Sequence, residues 1–248
     1  MPKLKMNTNL NYSPNFDVKK RRVKEVKFII FHYTGMKKEN QAITRLTNSK
    51  SKVSSHYLIK NNGEILTLVP DLYVAWHAGI SSWKNYKSIN KYSIGIEISN
   101  PGHEYSYKKF SKEQVKSIIK LSTYLIKKYN IKPNFILGHS DIAPDRKKDP
   151  GEKFPWKYLS KNKIGHWHNL NEKKIFKKRN LTEGKKEKIK FIKNLYEIGY
   201  PKNILFNKYK YSKLLTTAFQ RRFRQELVNG IIDQECLVIS NNLAKNLK

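Results

Sequence analysis

Residues 26–32 read Val-Lys-Phe-Ile-Ile-Phe-His, an apolar run of strand length that ends in a histidine. A strand that is apolar at nearly every position is buried on both faces, as in a sheet covered by helices on either side. Residues 93–99 (Ser-Ile-Gly-Ile-Glu-Ile-Ser) alternate as another strand, and residues 134–138 form a further one that leads into His139. These segments predict the inner strands of one sheet.

Between the first two of these strands, the sequence predicts a helix and a hairpin. Residues 40–49 have the pattern of a short helix. Two strand-like runs, residues 56–59 and 65–69, flank Asn61-Asn62-Gly63, which is a strong hairpin signal. The hairpin adds strands that need not run parallel to the others, so a mixed sheet is expected.

Residues 111–129 predict a long amphipathic helix between the second and third inner strands. Ser111 is the expected N-cap and Gln114 stands at the third helical position, a capping-box pattern. Strands that alternate with helices in this way predict the α/β fold class, a mixed β-sheet flanked by helices.

The composition changes after Trp167. Residues 169–188 are rich in Lys, Asn and Glu and poor in apolar residues, which predicts a linker or an exposed helix. Three helical patterns follow, and together they predict a small independent all-α domain: residues 189–199, 214–223 and 234–247. The expected division is an N-terminal extension, a sheet domain, a linker and a helical domain: residues 1–22, 23–168, 169–188 and 189–248.

The chain carries 51 Lys and Arg against 19 Asp and Glu, a formal net charge of +32. One interpretation is an anionic partner, either a nucleic acid or a carboxylate-rich polymer. The favoured interpretation is a lysine-rich composition, because lysines are scattered along the whole chain and arginines are few. No nucleic acid is expected as a partner, since the sequence has no recognisable motif or Arg-rich strip for one.

Cys236 is the only cysteine, so neither an intrachain disulfide nor a thiolate metal cluster can form. Its apolar neighbours predict a small core residue. Residues 1–17 hold no apolar run typical of a signal peptide, and no transmembrane segment is expected. The expected location is the cytoplasm, with the periplasm or cell envelope as the alternative if the chain is exported. The oligomeric state is left open.

Two histidines and one carboxylate are placed to share a metal ion. His32 and His139 both follow buried strands, and if these strands are neighbours, the two imidazoles emerge at the same edge of the sheet. Asp149 follows His139 across a loop with Pro144 and Pro150 that can fold back. Three protein ligands that leave a fourth position for water are typical of a catalytic zinc site, so one Zn²⁺ ion is expected.

Glu97 and Lys147 are the candidates for catalysis beside this site. Glu97 lies in mid-strand between isoleucines and shares its face with Gly95, which has no side chain to obstruct it. A general base is expected there, and a solvent-facing carboxylate is the alternative. Lys147 lies on the same loop as Asp149, where its ammonium could stabilise an oxyanion.

Three motifs occur in an order typical of one family: residues 31–35 (Phe-His-Tyr-Thr-Gly), 95–100 (Gly-Ile-Glu-Ile-Ser-Asn) and 138–151 (Gly-His-Ser-Asp-Ile-Ala-Pro-Asp-Arg-Lys-Lys-Asp-Pro-Gly). The sequence from about residue 13 to 167 resembles the type 2 N-acetylmuramoyl-L-alanine amidases, the AmpD- and AmiD-like enzymes related to a phage lysozyme and to the peptidoglycan recognition proteins. The resemblance implies hydrolysis of the amide between N-acetylmuramic acid and L-alanine in peptidoglycan or muropeptides. It also implies zinc bound by His32, His139 and Asp149, with Glu97 and Lys147 catalytic.

The stretch Ala75-Trp76-His77-Ala78-Gly79 also resembles this family and implies that Trp76 and His77 line the substrate groove. A loop histidine and a core tryptophan are the alternative. His56 is expected close to the metal, as a supporting residue or a substrate contact, and a purely structural role is the alternative. Three further histidines are expected at the surface: His103, His166 and His168.

Residues 218–233 resemble the small peptidoglycan-binding domain that is often attached to these amidases, which predicts contact with the wall polymer. The alternative function is a non-catalytic peptidoglycan-binding protein on the same fold, which would be expected to lose a zinc ligand. Intact sacculi, as in wall degradation, and soluble muropeptides, as in recycling, both contain the bond to be cut. The sequence leaves both open as substrates.

Overall fold

The structure is a computed structural model that describes residues 8–202 and 207–246. The first seven residues of the predicted N-terminal extension lie outside the described residues, and so does residue 247 at the end of the third predicted C-terminal helix.

Within the described residues the chain forms ten strands, most of them short. They are β1 (Asn9–Leu10), β2 (Phe16–Asp17), β3 (Phe28–Tyr33), β4 (Tyr57–Ile59), β5 (Ile65–Thr67), β6 (Val74–Ala75), β7 (Ser82–Trp83), β8 (Tyr86–Lys87), β9 (Ser93–Ile98) and β10 (Ile136–Gly138). Six of them form one sheet in the order β1-β5-β4-β9-β3-β10. β4, β9, β3 and β10 run parallel, whereas β5 is antiparallel to β4 and parallel to β1. The predicted mixed sheet is therefore confirmed.

Eight α-helices surround the sheet in the same part of the chain. They are α1 (Glu39–Thr47), α2 (Lys112–Tyr129), α3 (His139–Ile142), α4 (Trp156–Lys161), α5 (Glu172–Phe176), α6 (Lys185–Ile198), α7 (Lys208–Phe223) and α8 (Gln234–Lys245). The capping box predicted for α2 is present, because the Ser111 hydroxyl accepts from the Gln114 backbone and the Gln114 side chain accepts from the Ser111 backbone. A cap of this kind contributes about 1 kcal/mol to the stability of a helix.

The alternation of β3 divides the core into two layers. Ile29 and Phe31 point to one face and pack with apolar residues of α2. Phe28 and Ile30 point to the other face and belong to a cluster that includes Phe191 of α6 and further residues of α7 and α8. Such a strand, covered on both faces, explains why residues 28–31 are all fully buried.

The C-terminal helices therefore share a hydrophobic core with the sheet. The segment predicted as a linker contains α5 and the start of α6, and Ile175 of α5 is buried in the shared cluster. Cys236 is fully buried there, as predicted. The boundaries at residues 168 and 189 stay a prediction, but no apolar cluster of the described helices stands apart from the sheet. None of the described helices has the length and apolar character needed to cross a bilayer.

Candidate active site

The parallel pairing of β3 and β10 brings the two predicted histidine ligands together. Phe31 stands opposite Gly138, the last residue of β10. The next residue of each segment is a histidine, so His32 and His139 lie side by side at the same edge of the sheet. His139 is also the first residue of α3, whose short turn fixes the direction of its ring. Ligand sites commonly form at this carboxyl edge of parallel strands.

The loop after α3 folds back and adds Asp149 to the pair. The Ser140 amide donates to the Asp149 carbonyl over 2.9 Å. Gly138 allows this close approach, because a Cβ at this position would lie 2.6 Å from Cδ of Pro150. The glycine before one ligand and the proline after the other are thus in contact, which sets the distance between the two ligand-bearing segments.

Three ligand atoms converge in this site. Nδ1 of His32 lies 2.9 Å from Nδ1 of His139, and each of these nitrogens lies 3.0 Å from Oδ2 of Asp149. All three residues are buried. Tetrahedral ligands at zinc distances stand about 3.3 Å apart, so a triangle of this size fits a zinc ion with small adjustments.

Hydrogen bonds on the far side of each ring fix its tautomer. Nε2–H of His139 donates to the Ala78 carbonyl over 3.1 Å, which leaves Nδ1 unprotonated with its lone pair free. Nε2–H of His32 donates to Nδ1 of His77 over 3.0 Å, and Nε2–H of His77 donates to the Ser93 hydroxyl over 3.0 Å. Ser93 in turn donates to the Ile89 carbonyl over 2.8 Å. In this assignment every proton has an acceptor, and both Nδ1 lone pairs face Asp149.

The charge states also suit metal binding. Burial and the nearby His139 lower the pKa of His32 to about 4, against the opposing effect of Asp149, so the ring is neutral at pH 7. Burial alone would raise the pKa of Asp149, but interactions with His139 and His32 hold it far below its usual value. Metal ligation requires neutral imidazoles and an ionised carboxylate, and the charge states of His32 and Asp149 meet this requirement.

Glu97 stands opposite His32 in the register of β9 and β3. Its Oε2 atom is buried and has no hydrogen-bond partner among the described residues. Burial raises the pKa of the Glu97 carboxyl to about 8, with a further rise from the negative charge of Asp149 and an opposing effect of Lys147. A buried polar atom without a partner is uncommon and often marks a functional position.

The converging ligands lie in a cleft of about 810 Å³. Glu97 and Lys147 both line it, so the structure brings all five predicted metal-binding and catalytic residues to one place. The other cationic residues that line the cleft are Lys37, Arg45, Arg146 and Lys148. Arg146, which sequence reasoning missed, also donates to the carbonyls of Ala78 and Ile80 and thereby holds the loop beneath His139.

The structure places the three predicted substrate-binding residues elsewhere than on the open wall of the groove. His77 reaches the cleft but is buried, with both ring nitrogens engaged by His32 and Ser93. His56 is fully buried; its Nδ1 accepts from the Gly95 amide and its Nε2 donates to the Tyr73 carbonyl. Trp76 donates to Asp17 and is absent from the lining of the cleft. These contacts favour supporting roles for all three residues over the predicted substrate contacts.

None of the three histidines expected at the surface is exposed, and His166 is half-buried. His103 is half-buried and lines the cleft, where its ring lies within hydrogen-bond distance of the Tyr33 hydroxyl and of Glu152. His103 lies in the loop directly after β9, at the ligand-bearing edge of the sheet. This position in the sequence could have identified it as a residue of the cleft. His168 is 6% exposed, so the surface prediction was wrong for this residue. It lies between α4 and α5, whose packing the sequence did not reveal.

A mixed sheet with two histidines, an ionised aspartate and a half-buried glutamate in one cleft is typical of hydrolases that bind a single metal ion. Comparison with known proteins narrows this class. The family model described as N-acetylmuramoyl-L-alanine amidase matches residues 22–152, and the chain belongs to this family.

Several relatives show how far the similarity extends. N-acetylmuramoyl-L-alanine amidase AmiD from Escherichia coli is 34% identical over 230 residues, which cover 88% of this chain and 82% of AmiD. Its structure, a complex with the substrate anhydro-N-acetylmuramic acid-L-Ala-D-gamma-Glu-L-Lys, superimposes with a TM-score of 0.79 at 32% identity over 90% of each chain. AMPDH3 from Pseudomonas aeruginosa gives a TM-score of 0.79 at 28% identity, over 94% of this chain and 96% of the other.

A second group of relatives matches a shorter part of the chain. The 1,6-anhydro-N-acetylmuramyl-L-alanine amidase AmpD from Citrobacter freundii is 38% identical over 105 residues, 42% of this chain. The matched part spans about half of that relative, 54% of its length. The similarity to AmiD thus includes the helical region, whereas the similarity to AmpD is confined to a shorter part of the chain.

Proposed function

We propose that this chain is a zinc-dependent N-acetylmuramoyl-L-alanine amidase that cleaves the amide between the lactyl group of N-acetylmuramic acid and L-alanine. The observation that carries the proposal is the convergence of His32, His139 and Asp149, with ligand atoms 2.9–3.0 Å apart, in a cleft that also holds Glu97 and Lys147. Membership of the amidase family and the substrate complex of AmiD support the choice of this bond.

The zinc ion would be held by Nδ1 of His32, Nδ1 of His139 and Oδ2 of Asp149. When bound, it would supply a Lewis acid that polarises the scissile carbonyl and makes water more acidic. The hydrogen bonds from the rings to Ala78 and His77 keep both donor lone pairs directed at the site. Such outer contacts typically raise metal affinity 10–100-fold.

Glu97 is the proposed general base and acid. The positive charge of a bound zinc ion would lower the raised pKa of Glu97, so that its carboxylate is ionised. The carboxylate takes a proton from the attacking water while the water oxygen bonds to the carbonyl carbon. It then gives a proton to the alanine nitrogen as the carbon–nitrogen bond breaks, so the products are a lactyl carboxylate and a peptide with a free amino terminus. Lys147, on the wall of the same cleft, offsets the negative charge that develops on the carbonyl oxygen.

The cationic residues of the cleft suit an anionic substrate. Lys37, Arg45 and Lys148 line the same cavity as the catalytic residues, and the peptide stems of peptidoglycan carry free carboxylates. Attraction between these charges is screened by salt, with a Debye length of about 8 Å at physiological ionic strength. We infer that KM for an anionic muropeptide rises with added salt.

The test of the proposed function is mass spectrometry of the products formed by zinc-loaded protein. Sacculi and soluble anhydro-muropeptides are incubated with the protein in parallel. Release of peptides that begin with L-alanine is the expected result, and the faster substrate indicates whether the wall polymer or its soluble fragments are the physiological target. Zinc binding without any release from either substrate would favour a binding protein on the same fold.

The role proposed for His77 gives a separate prediction. His77→Leu removes the acceptor for Nε2–H of His32, so zinc affinity should fall about 10–100-fold. His77→Gln, whose amide oxygen can accept the same hydrogen, should lose less. Zinc affinity is measured by competition with a chromophoric chelator. A Leu variant that binds zinc as tightly as the unmodified protein would exclude this role.

A further inference from the structure

The C-terminal end of α7 contacts two chain segments, one that carries His139 and one that carries Asp149. His139 is the first residue of α3, and Asp149 lies within the loop of residues 143–155 that joins α3 to α4. Arg222 of α7 contacts the first segment, and Gln225, just after α7, contacts the second. These two residues are called the clamp residues below.

Arg222 is joined to α3 by a buried ion pair. One of its terminal nitrogens donates to Oδ2 of Asp141 over 2.6 Å, and the other donates to the Ile136 carbonyl over 3.0 Å. Asp141 stands two residues after His139, and the same oxygen accepts from the Gly138 amide over 2.8 Å. Arg222 thus contacts both the strand that precedes His139 and the helix that His139 begins.

The surroundings of this ion pair hold it in one position. Arg222 is 3% exposed and Asp141 is 1% exposed. The guanidinium carbon of Arg222 lies 4.3 Å from the ring centroid of Trp156, and Oδ1 of Asp141 accepts from the Tyr200 hydroxyl over 2.8 Å. Both terminal nitrogens of Arg222 are thus paired, although its Nε atom has no hydrogen-bond partner among the described residues. A buried ion pair of this kind is geometrically specific, because any shift leaves a charge unpaired in the interior.

Gln225 makes a comparable contact with the other segment. Its side-chain nitrogen donates to the carbonyls of Glu152 and Phe154 over 2.8 and 2.7 Å. Arg221, its neighbour one turn earlier, lies 3.8 Å from the Glu152 carboxylate. These carbonyls belong to the same loop as Asp149, a few residues after it, so the position of this part of the loop depends on the end of α7.

We propose that Arg222 and Gln225 are positioning residues of the metal site, which hold His139 and Asp149 at the mutual distance that zinc requires. The inference rests on the proposed function, since it assumes that these residues bind zinc. It gives the C-terminal helices a role in the catalytic geometry itself, whether or not they also contact the wall polymer.

The test compares zinc affinity in full-length variants. Arg222→Met and Gln225→Met remove the clamp contacts with little change in side-chain volume, and Arg222→Lys keeps the charge but not the second hydrogen bond. Arg224→Met is the matched control. Arg224 is also fully buried, but its ion pairs with Asp233 and Glu235 lie within the C-terminal segment. The zinc dissociation constant, Tm, and kcat and KM for a soluble anhydro-muropeptide at saturating zinc are measured for each protein.

The expected result is an increase of about tenfold in the zinc dissociation constant for Arg222→Met, a smaller increase for Gln225→Met and partial recovery in Arg222→Lys. For the clamp variants kcat should fall while KM stays constant. Arg224→Met should lower Tm but leave the zinc dissociation constant unchanged.

An Arg222→Met protein whose zinc affinity matches that of the Arg224→Met protein would overturn the inference. If Arg222→Met does not fold, the test rests on Gln225→Met, because Gln225 is only half-buried. An unchanged zinc affinity in Gln225→Met would then overturn the inference. Failure of the unmodified protein to bind zinc or to release peptide would instead overturn the proposed function, so the two failures are distinguishable.

Discussion

Glu97→Gln should lower kcat for a soluble muropeptide by about 10³-fold while the protein still binds zinc. General acid–base catalysis contributes roughly 10²–10⁴-fold, and Glu97 is proposed to act in both proton transfers. The amide keeps the size of the carboxyl group but cannot take up a proton at neutral pH. Because Glu97 is not among the converging ligands, its loss should leave the zinc dissociation constant within a few-fold of its original value.

The matched control is Glu104→Gln, since Glu104 lines the same cleft but is exposed. This variant should change KM more than kcat, because it alters only the charge that the substrate meets. A Glu97→Gln protein that retains the original kcat would remove Glu97 from the acid–base role and leave the proton transfers to another residue of the cleft.

The second large effect is expected for His139→Ala. Removing one of three protein ligands should lower zinc affinity by more than the roughly 10–100-fold that loss of an outer hydrogen-bond partner costs. Activity should fall to background. Treating the unmodified protein with a chelator should cause the same loss of activity, and adding zinc back should restore the activity. Zinc content by elemental analysis and peptide release by mass spectrometry measure the two effects.

His166→Ala is the control for a histidine change outside the ligand set. His166 is half-buried, and its Nε2 atom has no hydrogen-bond partner among the described residues. Its replacement should leave both zinc content and peptide release close to those of the unmodified protein. Full turnover by metal-stripped His139→Ala protein would contradict the proposed mechanism.

The sequence predicts the ligand-bearing strands because their signals are local. The apolar run that ends at His32 specifies a strand covered on both faces, and the capping box at Ser111 marks the start of α2 within one residue. Strand-end placement then brings His32 and His139 together as soon as β3 and β10 are neighbours. Asp149 is expected nearby because only a short loop, which can fold back, separates it from His139.

The supporting residues are not predictable in this way, because their positions depend on tertiary packing. The ring of His77 fills the space above Gly95, where a Cβ would lie 2.4 Å from its Cγ. The sequence shows only that Gly95 leaves room beside Glu97, and not which side chain uses that room. Arg222 presents the same difficulty, since 81 residues separate it from Asp141 and a basic helix end is normally taken as solvent-exposed.

The shared core of the sheet and the C-terminal helices has a consequence for the timing of biosynthesis. A ribosome adds about 5–20 residues per second, so the 81 residues between Asp141 and Arg222 take about 4–16 s to make. For most of this interval the nascent chain contains His32, His139 and Asp149, but α6 and α7, which cover one apolar face of β3 in the folded protein, are not yet complete. The proposed clamp residues are therefore made late in translation, and until then the apolar face of β3 is the part of the growing chain that a chaperone would need to protect.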